Sequence, residues 1–345
     1  EHTSFDFPIY RVGESSSQDI NQYSIENVIN KKEDLDSRVA TAEKILSENG
    51  VYIATTHKWL SGGFDAMIKK HGRYDVAIID EASQVIVPNA LGTLRLAEKF
   101  ILVGDHKQLP PVIQSEEAQE LSDTLFETLY NNKGADESTK IMLDMQHRMP
   151  QGISDFISNE FYEKKLNTFE DVSDNILDIE IEDSEYISIL NSEKPIELVD
   201  VKSSNNLKNQ SIQEAKVIKE ILSDLLKAGV DYKEIGIIAP FRAQVAEIRR
   251  QIELEGLLEY FHNSSDIKTV VDTVDRFQGD ERDIILFSLT IGDDLIPKLL
   301  QDKRRLNVAI SRAKKKFIGI GDWQKAEKSD TLKNLKKYYN SIGDK

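Results

Sequence analysis

The sequence predicts an α/β protein built on parallel sheets, in two domains of which the first is incomplete. Three observations predict it. Short β-branched runs alternate with amphipathic helical stretches along the chain, the pattern of strand–helix–strand units. The runs Val76–Ile79 and Phe100–Val103 are continuously apolar, as strands buried on both faces require. The length of 345 residues suffices for two domains, each with its own core.

In chain order, the first part offers strands at Val51–Thr55, Val76–Ile79 and Phe100–Val103, with helices at Asp36–Glu48 and Asn89–Glu98. That is fewer strands than the roughly five or six of a doubly wound domain, so the chain is expected to begin partway into its first domain. The second part repeats the scheme. Strands are expected at Ile196–Val199, Ile235–Ala239, Thr269–Val271, Ile284–Ser288 and Phe317–Gly321, and helices at Ile212–Lys227, Arg242–Glu255 and Lys303–Ala313. The boundary is expected between residues 115 and 135, after Pro110 and Pro111 and before the Leu143 run.

Composition narrows the class. Hydrophobic residues make up 39% and charged residues 30%, values of a soluble globular protein. No apolar run is long enough to span a bilayer, and EHTSFDFPIY does not read as a signal peptide. Cysteine is absent, which excludes disulfides and thiolate metal sites and suits a cytoplasmic location. A net charge of −16 argues against indiscriminate polyanion binding, so any nucleic-acid contact must be local. Residues 166–200 carry eleven acids against Lys194 alone, which reads as a solvated face. Residues 302–340 carry twelve bases against four acids. There Lys314, Lys315 and Lys316 are open to either a phosphate-facing or a solvated role.

Five motifs then appear in fixed order: DEASQ at Asp80–Gln84, GDHKQLPP at Gly104–Pro111, MQHRMP at Met145–Pro150, TVDRFQGDERD at Thr273–Asp283 and RRLNVAISRAK at Arg304–Lys314. Asp80 and Glu81 sit at the carboxyl end of an expected strand, where open α/β sheets bind ligands. One carboxylate can hold a Mg²⁺ on nucleotide phosphates while its neighbour polarises the attacking water; the plain alternative is the start of a loop. Gln108 can sense a phosphate through its amide without adding charge, and Pro110 and Pro111 stiffen the loop exit. The planar forks of Arg148 and Arg312 suit a transferring phosphoryl group, against the ordinary fate of a surface salt bridge. Gly279 permits close backbone approach, Glu281 can accept from a ribose hydroxyl, and Thr273 can donate to a nucleic-acid phosphate. Pro240, Phe241, Arg242 and Gln244 can line a strand-binding groove, with Phe241 equally suited to stacking on bases or to core packing.

Taken together, these residues resemble the superfamily 1B helicases of the Upf1-like type. DEASQ matches that group better than the DExQD form of superfamily 1A, and the other four motifs match motifs III to VI in order. RVGES at Arg11–Ser15 and VYIATTHKWL at Val51–Leu60 resemble connecting segments, so the likeness covers the chain from about Tyr10. The resemblance implies two RecA-like domains, residues 1–125 with motifs II and III and residues 126–345 with motifs IV, V and VI. It also implies ATP and Mg²⁺ between them, a single strand of DNA or RNA crossing both, 5′-to-3′ movement and a monomer.

Carried over position by position, the resemblance makes Asp80 the Mg²⁺ residue, Glu81 the base, Gln108 the sensor, and Arg148 and Arg312 the fingers. Gly279, Glu281, His147 and Arg305 lie near the nucleotide, and Thr55, Pro240, Arg242 and Thr273 near the strand. Two departures stand out. His147 occupies a position that is Tyr in many relatives, and no G-x-x-x-x-G-K-[ST] precedes Asp80. The phosphate loop is therefore expected in polypeptide upstream of Glu1, leaving this stretch inactive by itself. Two other readings stay open: a nucleic-acid-binding module without ATPase activity, and a partner-docking domain using the acidic face.

Overall fold

The chain divides into two units, Glu1–His106 with Pro110–Asp136, and Lys107–Leu109 with Glu137–Lys345. In this computed structural model, residues 7–13, 18–60, 70, 72–113, 122–132, 134, 136–202, 209–292 and 297–343 are described. No helix among them is long and apolar enough to cross a membrane.

Among the described residues, the first unit holds two parallel strand pairs. Strand β1 (Ile9–Arg11) pairs with β2 (Val51–Ile53), preceded by helix α1 (Leu35–Ser47). Strand β3 (Tyr74–Ile79) pairs with β4 (Ala97–Leu102) through the crossover helix α2 (Val87–Leu94). Helix α2 starts and stops earlier than the expected Asn89–Glu98, because Arg95 caps it and Ala97 already enters the sheet. The apolar run in β3 is covered less than its composition predicts. Ile79 is 4% exposed, but Val76 is 44% and Ile78 65% exposed, with Phe100 and Ile101 of β4 alongside. A sheet of two strands has too few neighbours to cover both of its faces.

The second unit is organised by a five-stranded parallel sheet in the order β7 (Ile196–Asp200), β11 (Ala313–Gly321), β10 (Arg282–Ser288), β8 (Ile235–Ala239), β9 (Val271–Thr273). A short parallel pair, β5 (Met145–Gln146) and β6 (Asn167–Thr168), lies outside it. Alternation along the strands builds two cores. Ile285, Phe287 and Phe317 pack with helices α3 (Gln151–Phe161), α6 (Lys303–Ile310) and α7 (Asp330–Gly343). Ile284, Leu286, Ile318 and Ile320 pack with α4 (Ile212–Lys227) and α5 (Arg242–Leu254). Helices on both faces are why these strands read as unbroken apolar runs. Leu109, 3% exposed, joins the first of these cores, which seats Lys107–Leu109 in this unit.

The basic run after α6 turns inward. Lys314 and Lys315 reach Asp283 at 3.0 and 2.8 Å. Burial works to raise the Asp283 pKa, and the two ammonium groups outweigh it, holding the carboxyl below its ordinary value. Lys316 is 1% exposed and donates to the carbonyls of Ile189 (2.8 Å) and Ser192 (2.5 Å). Burial pushes its pKa down to about 8. Lys316 is thus withdrawn from the surface, while Lys314 and Lys315 stay partly exposed beside Asp283. Lys316→Met is expected to strand those carbonyls and cost about 2–4 kcal/mol, read as a lower urea midpoint in Trp323 fluorescence.

Candidate active site

In the first unit, β3 delivers Asp80 and Glu81 at its carboxyl end, both exposed. Glu81 adopts a left-handed conformation (φ 51°, ψ 37°), a costly choice for a residue with a Cβ and one that clusters at active sites. Its amide donates to Asp80 Oδ1 at 2.9 Å, and Gln84 Nε2 donates to Glu81 Oε2 at 2.6 Å. The carboxylate is therefore aimed by the last residue of its own motif. The turn behind it docks on the next motif: Ala82 N donates to the Val103 carbonyl at 2.8 Å and Asp105 N to Ser83 Oγ at 3.3 Å. A Cβ on Gly104 would lie 2.9 Å from the Ser83 nitrogen, so close backbone approach requires glycine there. Thr55 also lies in this unit, capping the short helix Thr56–Trp59 through Lys58 N.

The second unit brings four of the expected residues into one chain of contacts. Arg148 Nε donates to Glu281 Oε2 at 2.6 Å, and its Nη1 lies 3.4 Å from the Ser311 carbonyl. Arg312, 2% exposed, donates through Nε to the Val308 carbonyl (3.1 Å) and through Nη1 to the Asp280 carbonyl (3.2 Å). Its Nη2 is 3.4 Å from Gln108 Oε1. Glu281 and Arg312 immediately precede β10 and β11, whose first residues are in register (Arg282↔Ala313). The cluster thus sits at the amino ends of these strands. Gly279, at φ 85°, makes the left-handed turn that leads into it. His147 is exposed beside Phe169, ring centroids 4.4 Å apart.

Gln146 escaped the sequence reading. Its Oε1 accepts from the backbone N–H groups of Arg148 and Met149, both at 2.8 Å, and its Nε2 donates to the Met149 carbonyl. It shapes the turn that carries Arg148. The only signal was an amide inside a short motif.

The remaining residues gather at the other end of the sheet. Thr273 ends β9 in register with Ala239, and Pro240 follows β8, so both lie at carboxyl ends. Arg242 is exposed at the start of α5. Gln244 does not line a groove. It is fully buried, bonding Ser211 through both main-chain groups and Ser288 Oγ at 3.1 Å. Arg305 also belongs to this end. It pairs with Asp302 and with Asp275 (3.2 Å) and lines a small cavity with Pro240 and Val274. Helix α6 runs between the two ends, with Arg305 near its start and Arg312 just past its finish.

A parallel sheet covered by helices on both faces defines a doubly wound α/β domain. Family comparison agrees: residues 121–324 match the AAA_12 model and residues 8–116 the AAA_11 model, both described as AAA domain. The chain belongs to this family and, through its motif series, to the Upf1-like superfamily 1B helicases. It is 34% identical over 291 residues to the DNA replication ATP-dependent helicase/nuclease DNA2 of Xenopus laevis (76% of this chain, 26% of that one). It is 32% identical over 315 residues to the DNA polymerase alpha-associated DNA helicase A of Schizosaccharomyces pombe (88% and 44%). An "uncharacterized ATP-dependent helicase" of Methanocaldococcus jannaschii is 34% identical over 331 residues (94% and 46%). The chain spans less than half the length of each of these relatives.

Proposed function

We propose that this chain carries the hydrolytic residues of an ATP-dependent superfamily 1 helicase or translocase acting on single-stranded nucleic acid, moving 5′ to 3′, with its phosphate loop supplied by polypeptide upstream. The observation that carries the reading is the convergence of Gln108, Arg148, Glu281 and Arg312 at one end of the second unit's sheet. A cluster with two forked donors beside a neutral amide suits a polyphosphate whose charge shifts during transfer.

The donor set fits a magnesium nucleotide. Mg²⁺ usually takes one or two protein carboxylates and completes its shell with phosphates and water. Asp80, exposed at a strand's carboxyl end, would be such a ligand. When bound, the ion would neutralise charge on the transferring phosphate. Glu81, aimed by Gln84, accepts the proton of the attacking water. Arg148 and Arg312 stabilise the charge that develops on the phosphoryl oxygens, and Gln108 reports it to the loop. Pro240, Arg242, Thr273 and Thr55 are assigned to the nucleic-acid strand, and the placement of Arg305 among Asp275, Pro240 and Val274 favours that group over the nucleotide.

The test uses the longer protein with its phosphate loop. Glu81→Gln is expected to retain nucleotide binding while lowering strand-stimulated ATPase about 10²- to 10⁴-fold. A rate equal to wild type would remove Glu81 as the base. Comparing single-stranded DNA with RNA as stimulant in the same assay identifies the polymer.

A further inference from the structure

We propose that Asn307 is the positioning residue for the sensor Gln108, an assignment that rests on the functional reading above. Asn307 lies on α6, five residues before Arg312, and is 1% exposed. Its Nδ2 donates one hydrogen to the Lys107 carbonyl at 3.0 Å and the other to Tyr162 Oη at 2.9 Å. A carbonyl can only accept, so the orientation of the amide is fixed. Its Oδ1 is buried and accepts no hydrogen bond. An aliphatic side chain of similar size would fill this space without burying an unsatisfied acceptor, so packing alone does not explain an amide here.

The three residues Lys107–Leu109 are held in succession within the second unit. Asn307 holds the Lys107 carbonyl, Leu109 is seated in the core at 3% exposure, and Gln108 between them meets Arg312. The two polar grips differ in strength. The Asn307 bond at 3.0 Å is of ordinary length, whereas Arg312 Nη2 is 3.4 Å from Gln108 Oε1. The weaker contact is the exchangeable one. Arg312 can trade the Gln108 amide for a phosphate oxygen while Asn307 keeps the segment attached to the same helix. Gln108 then stays beside the guanidinium it must follow. Tyr162, at the end of α3, supports the clasp by fixing the second hydrogen of the amide.

Two measurements test this. In the 345-residue chain, hydrogen–deuterium exchange of Asn307→Ala should speed at least about tenfold across Lys107–Leu109, with β10 and β11 unchanged; Tyr162→Phe should act in the same place, more weakly. In the longer protein, Asn307→Ala should lower kcat about 10- to 100-fold with KM for ATP within about threefold, because a misplaced sensor costs turnover rather than binding. Unchanged exchange at Lys107–Leu109 overturns the clasp. Faster exchange throughout the second unit reduces Asn307 to a packing residue. Local loosening with an unaltered kcat overturns the positioning role. A wild-type protein without strand-stimulated ATPase overturns the functional reading instead, and the exchange data then decide the clasp by themselves.

Discussion

Replacing Arg312 by alanine is expected to lower ATP turnover about 10³- to 10⁵-fold in a protein that also carries a phosphate loop, the range typical of an arginine finger. Its guanidinium is nearly fully buried and is oriented by the carbonyls of Val308 and Asp280, leaving Nη2 at the Gln108 amide. The two carbonyls belong to the last turn of α6 and to the loop leading into β10, so the fork is aimed before any phosphate arrives, which is what makes such a donor effective. Arg312→Lys keeps the charge but cannot bond two carbonyls and a phosphate with one planar group, so it is expected to recover little of the loss. Alanine also removes the Arg312 bonds to the Val308 and Asp280 carbonyls, so thermal unfolding of each variant must accompany the kinetics. A folded Arg312→Ala protein with wild-type kcat refutes the finger assignment, whatever happens to KM.

What the sequence made legible follows from which interactions are local. The run Ile235–Ala239 coincides with β8 because a parallel strand covered on both faces must be apolar at every position. The strand expected at Thr269–Val271 instead begins at Val271. Thr269 Oγ1 bonds the Asp266 carbonyl at 2.7 Å and closes a short helix over Ile267–Val270, a side-chain option that competes with β propensity. Site residues behaved alike. Asp80 and Glu81 were readable as an acidic pair after a strand, but the left-handed turn at Glu81 was not. Nothing local could reveal that Gln108 meets Arg312 across 204 residues of chain, or that Arg305 and Arg312 face opposite ends of the sheet. Those facts depend on the order β7-β11-β10-β8-β9 and on α6 running back along it. Gln244 failed for the same reason: its motif suggested a groove, and its partners Ser211 and Ser288 come from distant segments.

Those partners converge on a carboxyl group with a large expected effect on stability. Glu214 is 1% exposed in the first turn of α4, and its Oε2 accepts from Ser288 Oγ at 2.6 Å and Thr290 N at 2.8 Å. Burial pushes its pKa up to about 7, against the opposing pull of those hydrogen bonds. Below about pH 4.5 the carboxyl is protonated whether the chain is folded or not, and it imposes no penalty. Between that pH and 7 the unfolded chain ionises while the folded one retains its proton, so the penalty grows; above 7 it is complete, at roughly 3 kcal/mol. Glu214→Gln should therefore raise stability by about 1–3 kcal/mol at pH 8 and leave it nearly unchanged at pH 4.5. The gain falls short of the full penalty because the new amide nitrogen takes the place of Oε1, which has no partner. Urea unfolding read through Trp323, with Trp59→Phe silencing the first unit, measures this directly. Equal shifts at both pH values would mean that Glu214 is ionised in the folded protein. The position matters beyond stability: the same oxygen holds Thr290 in a left-handed conformation (φ 52°) just past the carboxyl end of β10, in the strand layer next to Thr273 and Pro240. A variant that changes the charge of this carboxyl while keeping its shape thus separates the rigidity of that sheet end from its chemistry.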